Sequence, residues 1–176
     1  MKSSAAGTII LYVIAFNGRT ETEAKRIIVF SDSHGGARCI AEALMMHPEA
    51  QAVIHLGDGE RDIAALGSLL EGKRLIAVSG NCDLYSDLPA EALEDIGGVR
   101  ILCTHGHRYG VKSSDGALVE RALKVNARIL LYGHTHNPVT RYEDGLYIMN
   151  PGSARQGRYG MIDITPNGIA CILCEL

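Results

Sequence analysis

The sequence lacks any apolar run long enough to span a bilayer, which argues against a membrane-crossing helix. It also lacks an excess of positive charge. Its 17 Lys and Arg against 20 Asp and Glu leave a formal charge of -3, so neither duplex nucleic acid nor an anionic membrane is an expected partner. Five cysteines, an odd number at irregular spacing, do not form a disulfide framework, and the simplest compartment is a reducing cytosol. There is no internal repeat and no low-complexity segment. What remains is a chain of 176 residues, 47% hydrophobic, which suits a single domain that buries roughly 70% of its unfolded surface.

Residues 1–24 stand apart as an N-terminal extension, and residues 25–176 read as the domain. Within the extension, Thr8 to Phe16 is apolar and of the length of a signal-peptide core, but one Lys precedes it and no small-x-small cleavage site follows. An extra edge strand, a dimer arm or a start codon assigned too far upstream is the better account of it.

From residue 25 onward, unbroken apolar runs alternate with helical spacing. Arg26 to Phe30 reads as a strand buried on both faces, and Gly36 to His47 carries Ala37, Ile40, Ala41, Leu44 and Met45 at helical spacing before Pro48. Ala52 to Leu56 is a second strand, Ile63 to Leu70 a short helix, and Arg74 to Ser79 a third strand. Gly97-Gly98 then joins a hairpin-like pair, Ala92 to Ile96 and Val99 to Cys103. Ser113-Ser114-Asp115 looks like a cap for a helix from Ala117 to Lys124, which leads into a strand from Arg128 to Tyr132. Beyond Pro138 only strands are expected: Val139 to Tyr142, Leu146 to Met149, Tyr159 to Ile164 and Ile169 to Cys174, with Asp144-Gly145 and Asn167-Gly168 as turns. An α/β half followed by a β-meander suggests two packed sheets with helices outside, and ligand sites at the carboxyl ends of strands.

Five of the apolar runs end in a Gly-containing turn that carries Asp, Asn or His. These turns hold Asp32 and His34, Asp58, Asn81, His105 and His107, and His134 and His136. Gly, Asp and Asn are ordinary turn formers, but five of the seven histidines also fall there, leaving His47 at a helix end and His55 inside a strand. Asp32 and His34, two residues apart, would project to one side of an extended backbone and could grip one ion. Carboxylate, imidazole and amide oxygen without thiolate suit Mn²⁺, Fe or Zn²⁺ better than a structural Cys-rich zinc site. With His107 left aside, seven such groups exceed one tetrahedral ion, and a bridging carboxylate allows two ions about 3.5–4 Å apart, the arrangement used for displacement at phosphorus. Hydrolysis of a phosphate ester is the expected reaction.

The motifs SDSHG, GDG, GNCD, THGH and GHTH, in this order between these strands, resemble the signature set of the calcineurin-like metallophosphoesterases. Asn150-Pro151-Gly152-Ser153 is similar to the turn of the small phosphodiesterase branch that also contains the Vps29 scaffold proteins. The resemblance implies a four-layer α-β-β-α sandwich of two mixed sheets flanked by helices. It implies one ion held by Asp32, His34, Asp58 and His136 and a second by Asp58, Asn81, His105 and His134, with Asp58 as the bridge. It implies Mn²⁺ first, with Fe, Zn²⁺ or Ni²⁺ as alternatives, and in-line attack by a hydroxide between the ions. Many members carry His where this chain has Cys82, and that His is thought to protonate the leaving oxygen. A thiol with an ordinary pKa of about 8.5 suits this task less well, so acidic leaving groups are favoured. Cys at this position also resembles the small branch.

Asp83 is an expected support behind the ligands, and His107 is either a helper of the leaving group or a surface residue of its turn. Asn81 is also an expected substrate contact, and Arg155 and Arg158, just past the Asn-Pro-Gly-Ser turn, either clamp a phosphate or are simply solvated. Cys171 and Cys174 lie three apart on a strand, point to opposite faces and read as core, as do Cys39 and Cys103. The expected activity is a phosphodiesterase on small phosphate esters or nucleotides. The alternatives are a non-catalytic Vps29-like interaction scaffold and a phosphomonoesterase. Association into a homo-oligomer is compatible with the resemblance.

Overall fold

The computed structural model describes residues 23–176, so the apolar run from Thr8 to Phe16 lies outside the described residues. Strand β1 (Lys25–Phe30) shows why the fold is layered. Ile27 and Val29 point to one face and Ile28 and Phe30 to the other, and all four are buried. One face joins a core with Ala52, Ile54, Ile101, Ile129 and Tyr147, and the opposite face packs on Ile40, Ala43 and Leu44 of helix α1 (Ala37–Met46).

Strands β2 (Ala52–His55) and β3 (Arg74–Ala77) continue in parallel from β1, while β9 (Arg158–Thr165) and β10 (Gly168–Glu175) extend its other side antiparallel. The first sheet therefore runs β10-β9-β1-β2-β3. The second runs β4-β5-β6-β8-β7, from β4 (Glu91–Ile96), β5 (Val99–Thr104), β6 (Ile129–Tyr132), β7 (Val139–Glu143) and β8 (Leu146–Asn150). Strands β5, β6 and β8 are parallel, and β4 and β7 are antiparallel edges. Helix α3 (Gly116–Lys124) covers this sheet through Leu118 and Ala122, which pack on Leu102, Leu130 and Ile148. The layers are thus helix, sheet, sheet, helix, as the expected sandwich requires.

Four local expectations are corrected. The second helix is not one segment from Ile63 to Leu70. It is a short α2 (Glu60–Ala64) starting after Gly59, followed by a 3-10 turn (Gly67–Leu70), because Gly67 adopts a left-handed φ of 49° that an α-helix cannot continue. The segment past Pro138 is not strand alone, since a 3-10 turn (Ala154–Gln156) separates β8 from β9. Asp115 occupies the cap position of α3, but its carboxylate accepts hydrogen bonds from Arg141 at 2.9 Å and Tyr132 at 3.3 Å. Ser114 Oγ receives the Gly116 N–H instead. Cys39 is partly exposed on α1, whereas Cys103 and Cys171 are buried and Cys174 is partly exposed on the opposite face of β10 from Cys171.

Parallel pairing has one functional result. The carboxyl ends of β1, β2 and β3 lie at one edge of the first sheet, and those of β5, β6 and β8 at one edge of the second. The histidine-rich turns converge where the two edges meet.

Candidate metal centre

Two buried carboxylates organise the crest. Each binds protein donors through one oxygen and points the other into a ring of imidazoles. Asp32 Oδ2 accepts the Ser31 hydroxyl at 2.5 Å and the His134 N–H at 2.9 Å. Its Oδ1 lies 3.1 Å from His136 Nε2, 3.8 Å from His34 Nε2 and 3.9 Å from His105 Nε2. Asp58 Oδ1 accepts the Cys82 N–H at 2.7 Å, while Oδ2 is 3.4 Å from His105 Nε2 and 3.8 Å from His34 Nε2. Asn81 Oδ1 stands 3.2 Å from His105 Nε2, and the His134 ring packs edge-on against His105 with centroids 5.0 Å apart. The crest therefore brings together all seven expected ligand positions.

Backbone geometry there departs from the expectation. Asp32 and His34 do not share a side of an extended chain, because their φ angles are 55° and 42°. Asp58, His134 and His136 are left-handed too, at 59°, 67° and 58°. These five are most of the eight non-glycine residues with positive φ among the described residues, and each such residue costs on the order of 1–3 kcal/mol. Strain concentrated in one set of side chains marks a site whose geometry the surrounding fold enforces.

The enforcement is visible. Asp83 accepts four backbone N–H groups, those of Asp58 and Gly80 at Oδ2 (2.7 and 2.8 Å) and those of Gly59 and Glu60 at Oδ1 (3.0 and 3.1 Å). Asn150 donates to the Gly133 carbonyl and the Thr135 hydroxyl, and Ser153 donates to the Asp32 carbonyl at 2.8 Å, so the Asn-Pro-Gly-Ser turn clamps two of the ligand loops. His105 donates from Nδ1 to the buried Leu56 carbonyl at 2.7 Å, which orients its Nε2 toward the carboxylates. Glycines make the room: a β-carbon on Gly80 would collide with Asp58, and one on Gly133 with Ser31 and Asp32.

Sequence reasoning missed one network. Buried His55 accepts the Gly57 N–H at Nδ1 and lies 3.2 Å from Ser33 Oγ through Nε2. Ser33 donates to Asp62 at 2.5 Å, and Asp62 also accepts the Gly35 N–H at 2.9 Å. It ties the Asp32–His34 loop to the Asp58 loop and to α2. The only available signal was a histidine inside an apolar strand.

The electrostatics follow from packing cations and anions together. Burial alone would raise Asp58, but His105 and the Cys82 N–H outweigh it and hold the carboxyl well below the usual range. Burial would lower His105, yet Asp58, Asp32 and the Leu56 carbonyl raise it. Burial, then the neighbouring His105, depress His107 and His134. The Cys82 thiol is pushed up, first by burial and then by Asp58, so it is protonated at neutral pH.

The donor set fits divalent ions. Asp32 Oδ1 is buried and accepts no hydrogen bond, a position that is costly for an anionic oxygen unless a cation pairs with it. Ligand atoms of Asp32, His34 and His136 lie within 4.8 Å of one another, as do those of Asp32, Asp58 and His105, and those of His34, Asp58 and Cys82. His107 Nδ1 is the other buried side-chain atom without a partner among the described residues, and its ring lies 5.3 Å from that of His105. Arg155 reaches the crest, donating to the His34 carbonyl at 3.1 Å, whereas Arg158 turns to Gln156. A cleft of about 450 Å³ opens beside the carboxylates, lined by His34, Asp58, Arg61, Asp62, Cys82 and Leu84 among others.

A helix-sheet-sheet-helix sandwich with carboxylate, imidazole and amide groups gathered at one crest defines a metallophosphoesterase-type protein. The family profile for the calcineurin-like phosphoesterase superfamily domain matches residues 26–165. The chain belongs to the calcineurin-like phosphoesterase superfamily. It is 33% identical over 133 residues to the probable metallophosphoesterase YsnB of Bacillus subtilis, covering 75% of this chain and 76% of that one. It is 31% identical over 170 residues to the phosphodiesterase YfcE of Escherichia coli K12, covering 78% and 87%. Among solved structures, a predicted phosphoesterase from Streptococcus pneumoniae TIGR4 superposes with a TM-score of 0.74 at 30% identity, covering 87% and 90%. Vacuolar Protein Sorting 29 from Cryptosporidium parvum shares the fold, with a TM-score of 0.73 at 19% identity over 87% and 92%.

Proposed function

We propose that this protein is a metal-dependent phosphodiesterase that hydrolyses small phosphate esters at a dinuclear centre. The observation that carries the reading is the buried, unpartnered Asp32 Oδ1 ringed by His34, His105 and His136, with Asp58 Oδ2 beside the same His105 nitrogen. Asp32, His34 and His136 would hold one ion, Asn81, His105 and His134 a second, and Asp58 both. Mn²⁺ is the first choice for this oxygen and nitrogen set, with Fe, Zn²⁺ or Ni²⁺ as alternatives. Bound there, divalent ions supply Lewis-acid neutralisation of a phosphoryl oxygen and acidify water toward neutrality.

The chain's own groups do the rest. The left-handed loops preset the ligand atoms, so little is reorganised when charge develops. Asn81 Oδ1 faces His105, while its amide nitrogen lies 3.2 Å from Cys82 Sγ, and the thiol is exposed beside the carboxylates. A protonated thiol there is a weak proton donor to a leaving oxygen, which favours esters whose leaving groups need little help. Arg155 is placed to approach a phosphate from the His34 side. The name of the Escherichia coli relative supports a diester over a monoester. All five cysteines are free, which suits a reducing cytoplasm, and among the described residues no helix is long and apolar enough to cross a membrane.

The fold shared with Vacuolar Protein Sorting 29, together with Cys82 in place of an imidazole, supports a second reading as an interaction scaffold that keeps the pocket without turnover. One experiment separates the two. The protein is purified without added metal, its metal content is measured, and bis(4-nitrophenyl) phosphate hydrolysis is followed as Mn²⁺ is added. About two ions per chain with turnover supports the enzyme, and tight binding without turnover supports the scaffold. Asp58→Asn should abolish metal-dependent turnover and leave the circular dichroism unchanged; normal turnover in that variant refutes its role as the bridge.

A further inference from the structure

Of the five cysteines only Cys82 is exposed, and it stands beside two side chains that bind cations well. Ligand atoms of Cys82, His34 and Asp58 lie within 4.8 Å of one another, and of the three such groups among the described residues this one alone contains sulfur. A thiol, an imidazole and a carboxylate differ in kind from the oxygen and nitrogen ligands assigned above. Thiolate selects ions of the zinc class, and zinc also stands above Mn²⁺ in its affinity for nitrogen and oxygen ligands.

The triangle has nearly the right size. Around a tetrahedral zinc ion, with bonds of about 2.3 Å to sulfur and about 2.0–2.2 Å to nitrogen and oxygen, neighbouring ligand atoms lie about 3.5 Å apart. His34 Nε2 and Asp58 Oδ2 are already 3.8 Å apart. Even at the 4.8 Å limit the sulfur has only about 1 Å to travel, which rotation of an exposed side chain supplies. The backbone beneath it is fixed, because the Cys82 N–H donates to Asp58 Oδ1 at 2.7 Å, and the Asn81 amide nitrogen reaches the sulfur at 3.2 Å. All three side chains line the cleft, so three protein ligands leave a fourth position open to it, as in zinc sites that exchange a ligand. Coordination sends the thiol proton to solvent.

His34 belongs to two groups at once. Its Nε2 is also 3.8 Å from Asp32 Oδ1, and it shares a second cluster with Asp32 and His136. An imidazole nitrogen has one lone pair and serves one ion at a time, whereas a carboxylate such as Asp58 can serve two. We infer that Cys82, His34 and Asp58 form a site for one thiophilic divalent ion, Zn²⁺ or Cd²⁺ in class, whose occupation takes His34 away from the first ion of the hydrolytic pair. The exclusion rests on the dinuclear phosphoesterase reading, and the sulfur site itself does not. A zinc-class ion thereby switches the centre off, and Cys82 is the residue that makes the switch selective.

Cadmium is the probe, because a thiolate bound to it gives an ultraviolet charge-transfer band. Protein purified without added metal is titrated with Cd²⁺. The expected result is a band that reaches its plateau at about one ion per chain and is missing in Cys82→Ser. No band in the unaltered protein, or the same band in Cys82→Ser, overturns the site. His34→Asn, which keeps a residue that tolerates left-handed backbone, should weaken Cd²⁺ binding by at least about tenfold with the circular dichroism unchanged, and unaltered affinity removes His34 from the site. In a second arm, protein holding one Cd²⁺ is dialysed against Mn²⁺ and both metals are measured by elemental analysis. Bound Mn²⁺ should fall from about two ions per chain to about one, and two retained beside the cadmium overturns the exclusion. If Mn²⁺ fails to bind even without cadmium, the dinuclear reading falls and the exclusion with it, while the cadmium band and its fate in Cys82→Ser still decide the sulfur site.

Discussion

Replacing Asp83 by Asn changes one atom of the most heavily shared acceptor at the crest. The carboxylate binds two N–H groups through each oxygen, those of Gly59 and Glu60 at Oδ1 and those of Asp58 and Gly80 at Oδ2. A carboxamide has one acceptor oxygen, and in either flip its NH₂ faces two N–H donors. Two charge-assisted bonds are lost, each worth about 1.5–3 kcal/mol, and Asp83 is only partly buried, so the low end of the range applies and the cost is about 3 kcal/mol. For a chain of this length that is a fall in Tm of about 6–12 °C. The same turn carries Asp58, so metal affinity should fall by about 10–100-fold, as is usual when support behind a ligand is removed. Thermal unfolding with chelator reads the first effect and calorimetric titration with Mn²⁺ the second. A variant with Tm within about 2 °C of the parent and unaltered Mn²⁺ affinity refutes the claim that Asp83 builds the Asp58 turn.

Three further outcomes follow from the geometry. Burial holds His55 down at about 4, against the pull of Asp83, Asp32 and Asp62, so between its unfolded value near 6.5 and that value the folded chain binds fewer protons than the unfolded one. The stabilisation is complete above pH 6.5 and about 3 kcal/mol is lost as the pH falls to 4. Urea unfolding over this range should show a flatter pH dependence in His55→Gln, and identical curves would refute it. Cys82→His supplies a better proton donor and should raise turnover of an alkyl diester by about 10²-fold while changing a nitrophenyl ester much less; an equal change on both would remove leaving-group protonation as the explanation. Gly80→Ala drives a β-carbon into the Asp58 carboxylate and should leave the protein folded with less than one Mn²⁺ per chain by elemental analysis, a full complement being the refuting result.

Much of the architecture was legible in the sequence because period and punctuation were strong. The unbroken runs at β1, β2 and β6 mark strands covered on both faces, and Gly97-Gly98 and Asp144-Gly145 adopt the positive φ angles that tight hairpins need. Less legible were helix α2, where Gly67 stops a periodic pattern, and Asp115, whose carboxylate serves Arg141 and Tyr132 instead of the helix. In both, a single local conformation or a distant partner outweighed the pattern.

For the site, residue types and their positions at strand ends followed from the sequence alone, since turns between parallel strands must carry the groups that converge at one edge. How Asp32 and His34 come together did not follow from it. Extended-strand alternation was the wrong reason, and only the packed structure shows left-handed backbone at five ligand positions, held by Asp83, by the Asn150 turn and by the Ser33–His55–Asp62 network. Strain of that kind is paid by contacts between segments far apart in the chain, and a linear pattern carries no record of them. Thus the sequence by itself determined the layer order and the inventory of candidate ligands, through apolar periodicity and turn chemistry. The tertiary structure alone decided which oxygen of each carboxylate faces the imidazoles and that Leu84 lines the cleft beside them, because both depend on partners brought from other strands.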